Sequence, residues 1–159
     1  MSVFGLAHLL NECVAPRYRR EVAAIVLVES SGEPYALNEI GRRRSVYPAT
    51  LRGAVNDADA MLSSGHPVAV GLGQINSQNV IRFHLEGRNL FNGCTNLEVA
   101  QEVLADCYGL AGRVVSSRPE QELAWSCYYS GNFKQGFVPY HGVSYVARVG
   151  ETLKRIDGE

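Results

Sequence analysis

The chain has 159 residues, with 15 basic and 16 acidic side chains and a formal net charge of -1 at pH 7. This length is typical of one globular domain, so residues 1–159 are predicted to form a single domain. The balanced charge argues against nucleic acid as a partner, because nucleic-acid-binding domains are usually basic, and no stretch is apolar for long enough to predict a membrane span.

The first two predicted elements are helices. The opening segment, "MSVFGLAHLLNECVAPRYRR", lacks the basic start and the cleavage-like site of an export signal, so a helix is predicted there. In the second helix, residues 17–31, Val22 and Ile25 share one face with Glu29. Because Leu27, on the opposite face, is apolar too, this helix is predicted to be buried on all sides.

Later elements are predicted from composition and end signals. Residues 32–48 are rich in Gly, Pro, Asn and Arg, which favours irregular structure or short strands. Helices are predicted over residues 49–64, 95–115, 118–130 and 142–156, and an extended stretch before "GLGQINSQN". The capping-box pattern pairs Thr95 with Glu98 and Ser117 with Glu120, and Gly131 is a typical helix stop.

A carboxylate at the end of an apolar helix is the first candidate catalytic group. Desolvation and the partial negative charge of the helix C-terminus should both raise the pKa of Glu29, which would make it a general acid near neutral pH. Alternatively, Glu29 faces solvent or pairs with Arg42 or Arg43. Periodicity alone leaves both interpretations open.

Two further segments carry candidate binding groups. In "GLGQIN", residues 71–76, Gly71 allows close approach of a ligand or a backbone segment, and Gln74 offers a donor and an acceptor to a sugar. In "LAWSCYYSGNF", residues 123–133, Tyr128 and Tyr129 have the aromatic rings that pack on sugars. Alternatively, residues 71–76 form a plain turn, and the two tyrosines pack in the core.

The four cysteines, Cys13, Cys94, Cys107 and Cys127, lack the close spacing of a zinc site, and no metal or cofactor is predicted. In an oxidising compartment they would form one or two disulfides. Four cysteines allow three pairings, and the sequence does not choose among them.

The order of these motifs resembles that of lysozyme-like lytic transglycosylases. Glu29-Ser30 is followed by "GLGQIN", then "CYYSGNF", then "YVARV" at residues 145–149. Among these enzymes the chain most resembles the VirB1-like proteins that accompany type IV secretion and conjugation. The resemblance implies a predominantly helical α+β fold of the SLT or goose-type lysozyme kind. It also implies a periplasmic enzyme that cleaves peptidoglycan strands and works with secretion-channel components.

By this resemblance, Glu29 protonates the glycosidic oxygen and then accepts the proton of the muramoyl C6 hydroxyl as a 1,6-anhydro ring closes. The substrate-binding residues implied by position are listed in chain order: Ser30, Gly71, Gln74, Tyr128, Gly131 and Tyr145.

One position departs from the family pattern, because Tyr129 stands where the family has asparagine. The amide's hydrogen bonds must then be lost, replaced or supplied by Asn132, and a glycan-binding module without activity remains an alternative. The second alternative function is that of a goose-type lysozyme-like hydrolase, but such an enzyme would need a second carboxylate. The acidic residues considered for that role are predicted to be solvated surface charges: Glu33, Glu39, Asp57 and Asp59.

Overall fold

The computed structural model describes residues 1–158 and confirms a predominantly helical α+β fold with one small antiparallel sheet. The chain divides into two compact units, Met1–Ala100 and Gln101–Glu159, here called the N-terminal and C-terminal units. Within residues 1–158, no helix combines the length and apolar character needed to cross a bilayer.

The N-terminal unit contains five of the described helices and the sheet. Its helices are α1 (Val3–Cys13), α2 (Pro16–Ser30), α3 (Leu51–Ser63), α4 (Ser77–Arg82) and the first part of α5 (Gly93–Ala111). Its strands are β1 (Leu37–Glu39), β2 (Arg44–Val46), β3 (Val68–Val70) and β4 (Ile75–Asn76), and a 3-10 helix spans Gly87–Leu90.

The C-terminal unit contains the rest of α5, α6 (Glu120–Ser130), a 3-10 helix at Gln135–Phe137 and α7 (Tyr145–Gly158). Helix α6 packs against both of the elements that follow it. Gly150 of α7 faces the ring of Trp125, with only 3.5 Å between a Cβ built at residue 150 and the nearest ring carbon. A Cβ atom at residue 150 would therefore be in ordinary van der Waals contact with the Trp125 ring.

The sheet confirms the prediction of short strands after α2. Its strand order is β2-β1-β3-β4, and all pairs are antiparallel. Leu37 pairs with Val70 across the central strands, and both side chains are buried. Because alternate residues of a strand face opposite sides, Leu37 of β1 shares one buried face of the sheet with Val68 and Val70 of β3. Helix α3 packs against these two strands.

Three sequence predictions about helices are wrong in detail. Leu27 is 40% exposed, so α2 is not buried on all sides. Helix α5 begins at Gly93, before Thr95, and the Asn92 side chain accepts a hydrogen bond from Thr95 N. Helix α6 begins at Glu120 after Pro119, and Ser117 does not cap it.

The structure chooses one of the three possible cysteine pairings. Cys13 bonds to Cys94, which ties the end of α1 to the start of α5 across 81 residues. Cys107 bonds to Cys127, which ties α5 to α6 across 20 residues. Each disulfide lies within one unit.

Glu39 is not the solvated surface charge that the sequence predicted. Its side chain is only 3% exposed, and its Oε2 atom is buried without a hydrogen-bond partner among the described residues. Glu39 shares the buried face of β1 with Leu37 and pairs with Val68 of β3. A polar group buried without a partner costs stability.

We therefore predict that Glu39→Met raises the free energy of unfolding by about 1 kcal/mol, because it removes an unsatisfied buried oxygen and keeps the length of the side chain. Urea unfolding of both proteins measures the change. Glu33→Met is the control, since Glu33 is exposed and its replacement should change stability by less than about 0.5 kcal/mol. A loss of stability on replacing Glu39 would show that its carboxyl group is satisfied in solution.

The two disulfides should differ in their contributions because they close loops of different lengths. Replacing Cys13 and Cys94 together by alanine should lower the free energy of unfolding by about 4 kcal/mol, and replacing Cys107 and Cys127 by about 3 kcal/mol. Chemical denaturation of the oxidised variants gives both numbers. Equal stability of wild type and either double variant would mean that the corresponding disulfide does not form.

Candidate active site

Glu29 lies in the last turn of α2, where the chain leaves the helix. Ser31 and Gly32 both have positive φ angles, 55° and 77°, which end the helix directly after Ser30. Val22, Ile25 and Val26 are buried on the preceding turns, and Glu29 follows them on the same face, half-buried. The carboxyl group is therefore carried at the end of a helix whose neighbouring turns are buried on this face, and Glu29 keeps partial access to solvent.

Ser30 joins this helix end to the "GLGQIN" segment. Its side chain is 4% exposed, and its hydroxyl donates to the carbonyl oxygen of Leu72 at 2.8 Å and lies 3.1 Å from that of Val26. The bond to Leu72 spans 42 residues of sequence. Ser30 thus holds the end of α2, which carries Glu29, against residues 71–74, here called the glycine turn. Both hydrogen-bonding contacts of the Ser30 hydroxyl are with main-chain carbonyls.

The glycine turn itself is built around a side chain that the sequence analysis missed. Asn96 of α5 is 1% exposed, and its amide nitrogen donates to the carbonyls of Leu90 and Val70 at 3.0 and 3.1 Å. Its carbonyl oxygen accepts a hydrogen bond from Gly73 N at 2.8 Å. The sequence signal that could have identified Asn96 is its polar side chain four positions before Ala100, on a helix face that is otherwise apolar.

Gly71 is required at its position for two reasons. Its φ angle is 74°, which disfavours other residues, and a Cβ atom there would collide with the amide of Asn96. The main-chain nitrogen of Gly71 donates to the carbonyl of Ala36 at 2.8 Å, which connects the turn to the residue before β1. These contacts give Gly71 a steric role beside the site.

Gln74 closes the turn and has a strained backbone, with a φ angle of 50°. Its side-chain nitrogen donates to the carbonyls of Gly71 and Ala36 at 3.0 and 3.1 Å. The side chain is half-buried. Because both donated bonds go to the backbone, the side-chain oxygen is the group that remains to accept a hydrogen bond from a ligand.

The other predicted site residues lie in the C-terminal unit. Gly131 ends α6 with a φ angle of 75°, and its nitrogen donates to the carbonyl of Cys127 at 2.7 Å, which confirms it as the helix stop. Tyr128 is 9% exposed in the last turn of α6. The proximity of Glu29 to Tyr128 stays a prediction.

Tyr129, the departure from the family pattern, stacks on Tyr145. The ring centroids are 4.5 Å apart and the ring planes are inclined by 17°. Tyr145 is 3% exposed at the start of α7, whereas Tyr129 is 49% exposed. The family's amide position is thus occupied by an aromatic ring that rests on a buried one.

Asn132 does not offer its side-chain oxygen as a replacement for that amide. This oxygen accepts hydrogen bonds from the backbone nitrogens of Lys134 and Gln135, both at 2.9 Å. The main-chain oxygen of Asn132 accepts a bond from Ser126 Oγ at 2.8 Å. Asn132 therefore organises the loop after α6.

In the N-terminal unit, the half-buried carboxyl group of Glu29 thus stands next to Ser30, whose hydroxyl donates a hydrogen bond to the glycine turn. The match of the chain to the transglycosylase SLT domain extends over residues 17–137, and the chain belongs to this family. The matched range contains most of the predicted site residues.

Named relatives are VirB1 proteins. The chain is 34% identical over 147 residues to Type IV secretion system protein virB1 of Brucella abortus biovar 1 (strain 9-941), covering 89% of this chain and 60% of that protein. It is 29% identical over 137 residues to Protein virB1 of Agrobacterium fabrum, covering 86% and 56%. The chain thus spans little more than half the length of these relatives. No solved structure matches it.

Asn96 provides a direct test of how the turn is held. Asn96→Ala would remove three buried hydrogen bonds, to Gly73 N and to the carbonyls of Leu90 and Val70, so we expect the free energy of unfolding to fall by about 3 kcal/mol. Denaturant unfolding measures this, with Asn11→Ala, on the exposed side of α1, as the control. A change as small as the control's would contradict the role given to Asn96.

Proposed function

We propose that the chain is a peptidoglycan lytic transglycosylase that cleaves the β-1,4 bond between N-acetylmuramic acid and N-acetylglucosamine. We further propose that both units act together as one catalytic domain. Membership of the SLT family supports this proposal, and the family match includes residues of both units. The observation that carries it is the position of Glu29, on a buried helix end that Ser30 bonds to the glycine turn.

In the proposed mechanism, Glu29 performs both proton transfers. The protonated carboxyl group gives its proton to the glycosidic oxygen as the bond from muramoyl C1 to that oxygen breaks. The resulting carboxylate takes the proton of the muramoyl C6 hydroxyl as the O6–C1 bond forms. Glu29 ends the cycle protonated, so the reaction consumes no water and needs no second carboxylate.

The remaining residues would bind and orient the sugar. Gln74 would accept a hydrogen bond through its side-chain oxygen, because its nitrogen is bonded to the backbone. Tyr128, in the last turn of α6 before Gly131, and Tyr145, at the start of α7, would contact the sugar. Gly71 and Ser30 would act by holding the turn and the helix end.

We also propose a periplasmic location and a role in opening the wall for a secretion or conjugation channel. Two disulfides support an oxidising compartment, because cytosolic thiols are normally kept reduced. The similarity to VirB1 proteins supports the secretion context. Peptidoglycan strands are the proposed substrate, and components of the channel are the proposed partners.

The test of the catalytic assignment is Glu29→Gln, assayed by the clearing of purified sacculi. We expect a loss of at least about 100-fold, since one group supplies both the acid and the base. The amide has nearly the same shape, so the melting temperature should change little. Glu33→Gln is the matched control, because Glu33 is exposed on the following segment and should keep full activity.

Two outcomes would contradict the proposal. If folded Glu29→Gln protein clears sacculi as wild type does, Glu29 is not the acid. If wild-type protein binds sacculi without releasing any fragment, the chain is a glycan-binding module. Glu39→Met adds a check on hydrolysis by two carboxylates, since the proposed mechanism predicts that this variant keeps its activity.

A further inference from the structure

Two adjoining cavities, both open to solvent, lie at the surface of the N-terminal unit beside α3 and the 3-10 helix at Gly87–Leu90, and the side chains of Arg52 and Arg88 are exposed there. Their volumes are about 430 Å³ and about 350 Å³, and Leu51 and Arg88 line both. Arg52 also lines the larger cavity. We call the two cavities together the arginine hollow. Glu29 and Gln74 are not among the residues that line it.

Two arginines give the hollow a positive charge. Within residues 1–158, the guanidinium groups of Arg52 and Arg88 have no hydrogen bond or ion pair, and the residues that line the hollow include no carboxylate. Arg52 lies in the first turn of α3, where the helix dipole adds to the positive potential. Guanidinium groups bind carboxylates with two parallel hydrogen bonds, so this charge favours an anion with carboxylate groups.

The other lining residues favour an organic ligand over a simple ion. Asn56 and Asn89 bring side-chain amides, each of which can donate and accept hydrogen bonds as a peptide requires. Tyr35 and Phe91 provide an aromatic wall, with ring centroids 6.1 Å apart and planes at 81°. Cation, amide and apolar surface together suit a short peptide that carries several carboxylates.

We propose that the arginine hollow binds the carboxylates of the peptidoglycan stem peptide. This proposal rests on the proposed function, which supplies a glycan strand bearing such peptides. The hollow would then bias binding towards strands that retain their peptides. Arg52 and Arg88 would determine this preference without taking part in the cleavage.

The test is a titration of the intact protein with the free stem tetrapeptide, followed by NMR of the arginine and asparagine side chains. We expect shifts at Arg88 and Asn89, and a dissociation constant raised at least about tenfold in the double variant Arg52→Ala, Arg88→Ala. The control, Arg42→Ala with Arg113→Ala, removes the same charge from exposed positions elsewhere and should bind like wild type. The free peptide has no glycosidic bond, so this result does not depend on cleavage.

Three results would overturn the proposal. The first is equal binding of the tetrapeptide by wild type and by the Arg52, Arg88 variant. The second is binding of inorganic phosphate as tight as that of the tetrapeptide, which would show a general anion site. The third is a response of the hollow to chitotetraose, a neutral glycan, that matches its response to the tetrapeptide.

Discussion

The hydrogen bond from Ser30 to the carbonyl of Leu72 is the constraint on which the candidate site depends. It joins the end of α2 to the glycine turn across 42 residues, while Asn96 holds the same turn from α5 through three further hydrogen bonds. All of these groups are buried, so breaking any one removes a hydrogen bond that water cannot easily replace. A short polar network therefore fixes where Glu29 stands relative to Gln74, without any side chain of the network having to touch substrate.

Local patterns in the sequence predicted the elements that carry the site. Apolar spacing predicted α2, composition predicted the short strands after it, and Gly131 marked the end of α6. The predicted helix starts at Thr95 and Ser117 were wrong because neighbouring residues determine where these helices begin. The Asn92 side chain accepts a hydrogen bond from Thr95 N near the start of α5, and Pro119 directly precedes α6. A capping motif is short enough to occur by chance beside a stronger signal.

Contacts between distant residues were beyond prediction from one sequence. Asn96 looks like an ordinary helix residue until its partners, more than twenty positions away in two cases, are known. Glu39 was predicted to be exposed because the segment around it, residues 32–48, is rich in polar residues. The pairing of β1 with β3 nevertheless places it on the buried face of the sheet. Both errors concern buried polar groups, whose partners or lack of partners follow from tertiary structure. The family pattern likewise could not say that Tyr129 would stack on Tyr145.

In the proposed mechanism, one carboxyl group, held at the end of α2, cleaves the glycan without water. Mass spectrometry of the fragments released from purified sacculi tests this claim most directly. The proposed mechanism predicts muropeptides that end in 1,6-anhydromuramic acid, each one water lighter than the product of hydrolysis. Fragments that end in reducing muramic acid would contradict it and would make the chain a hydrolase.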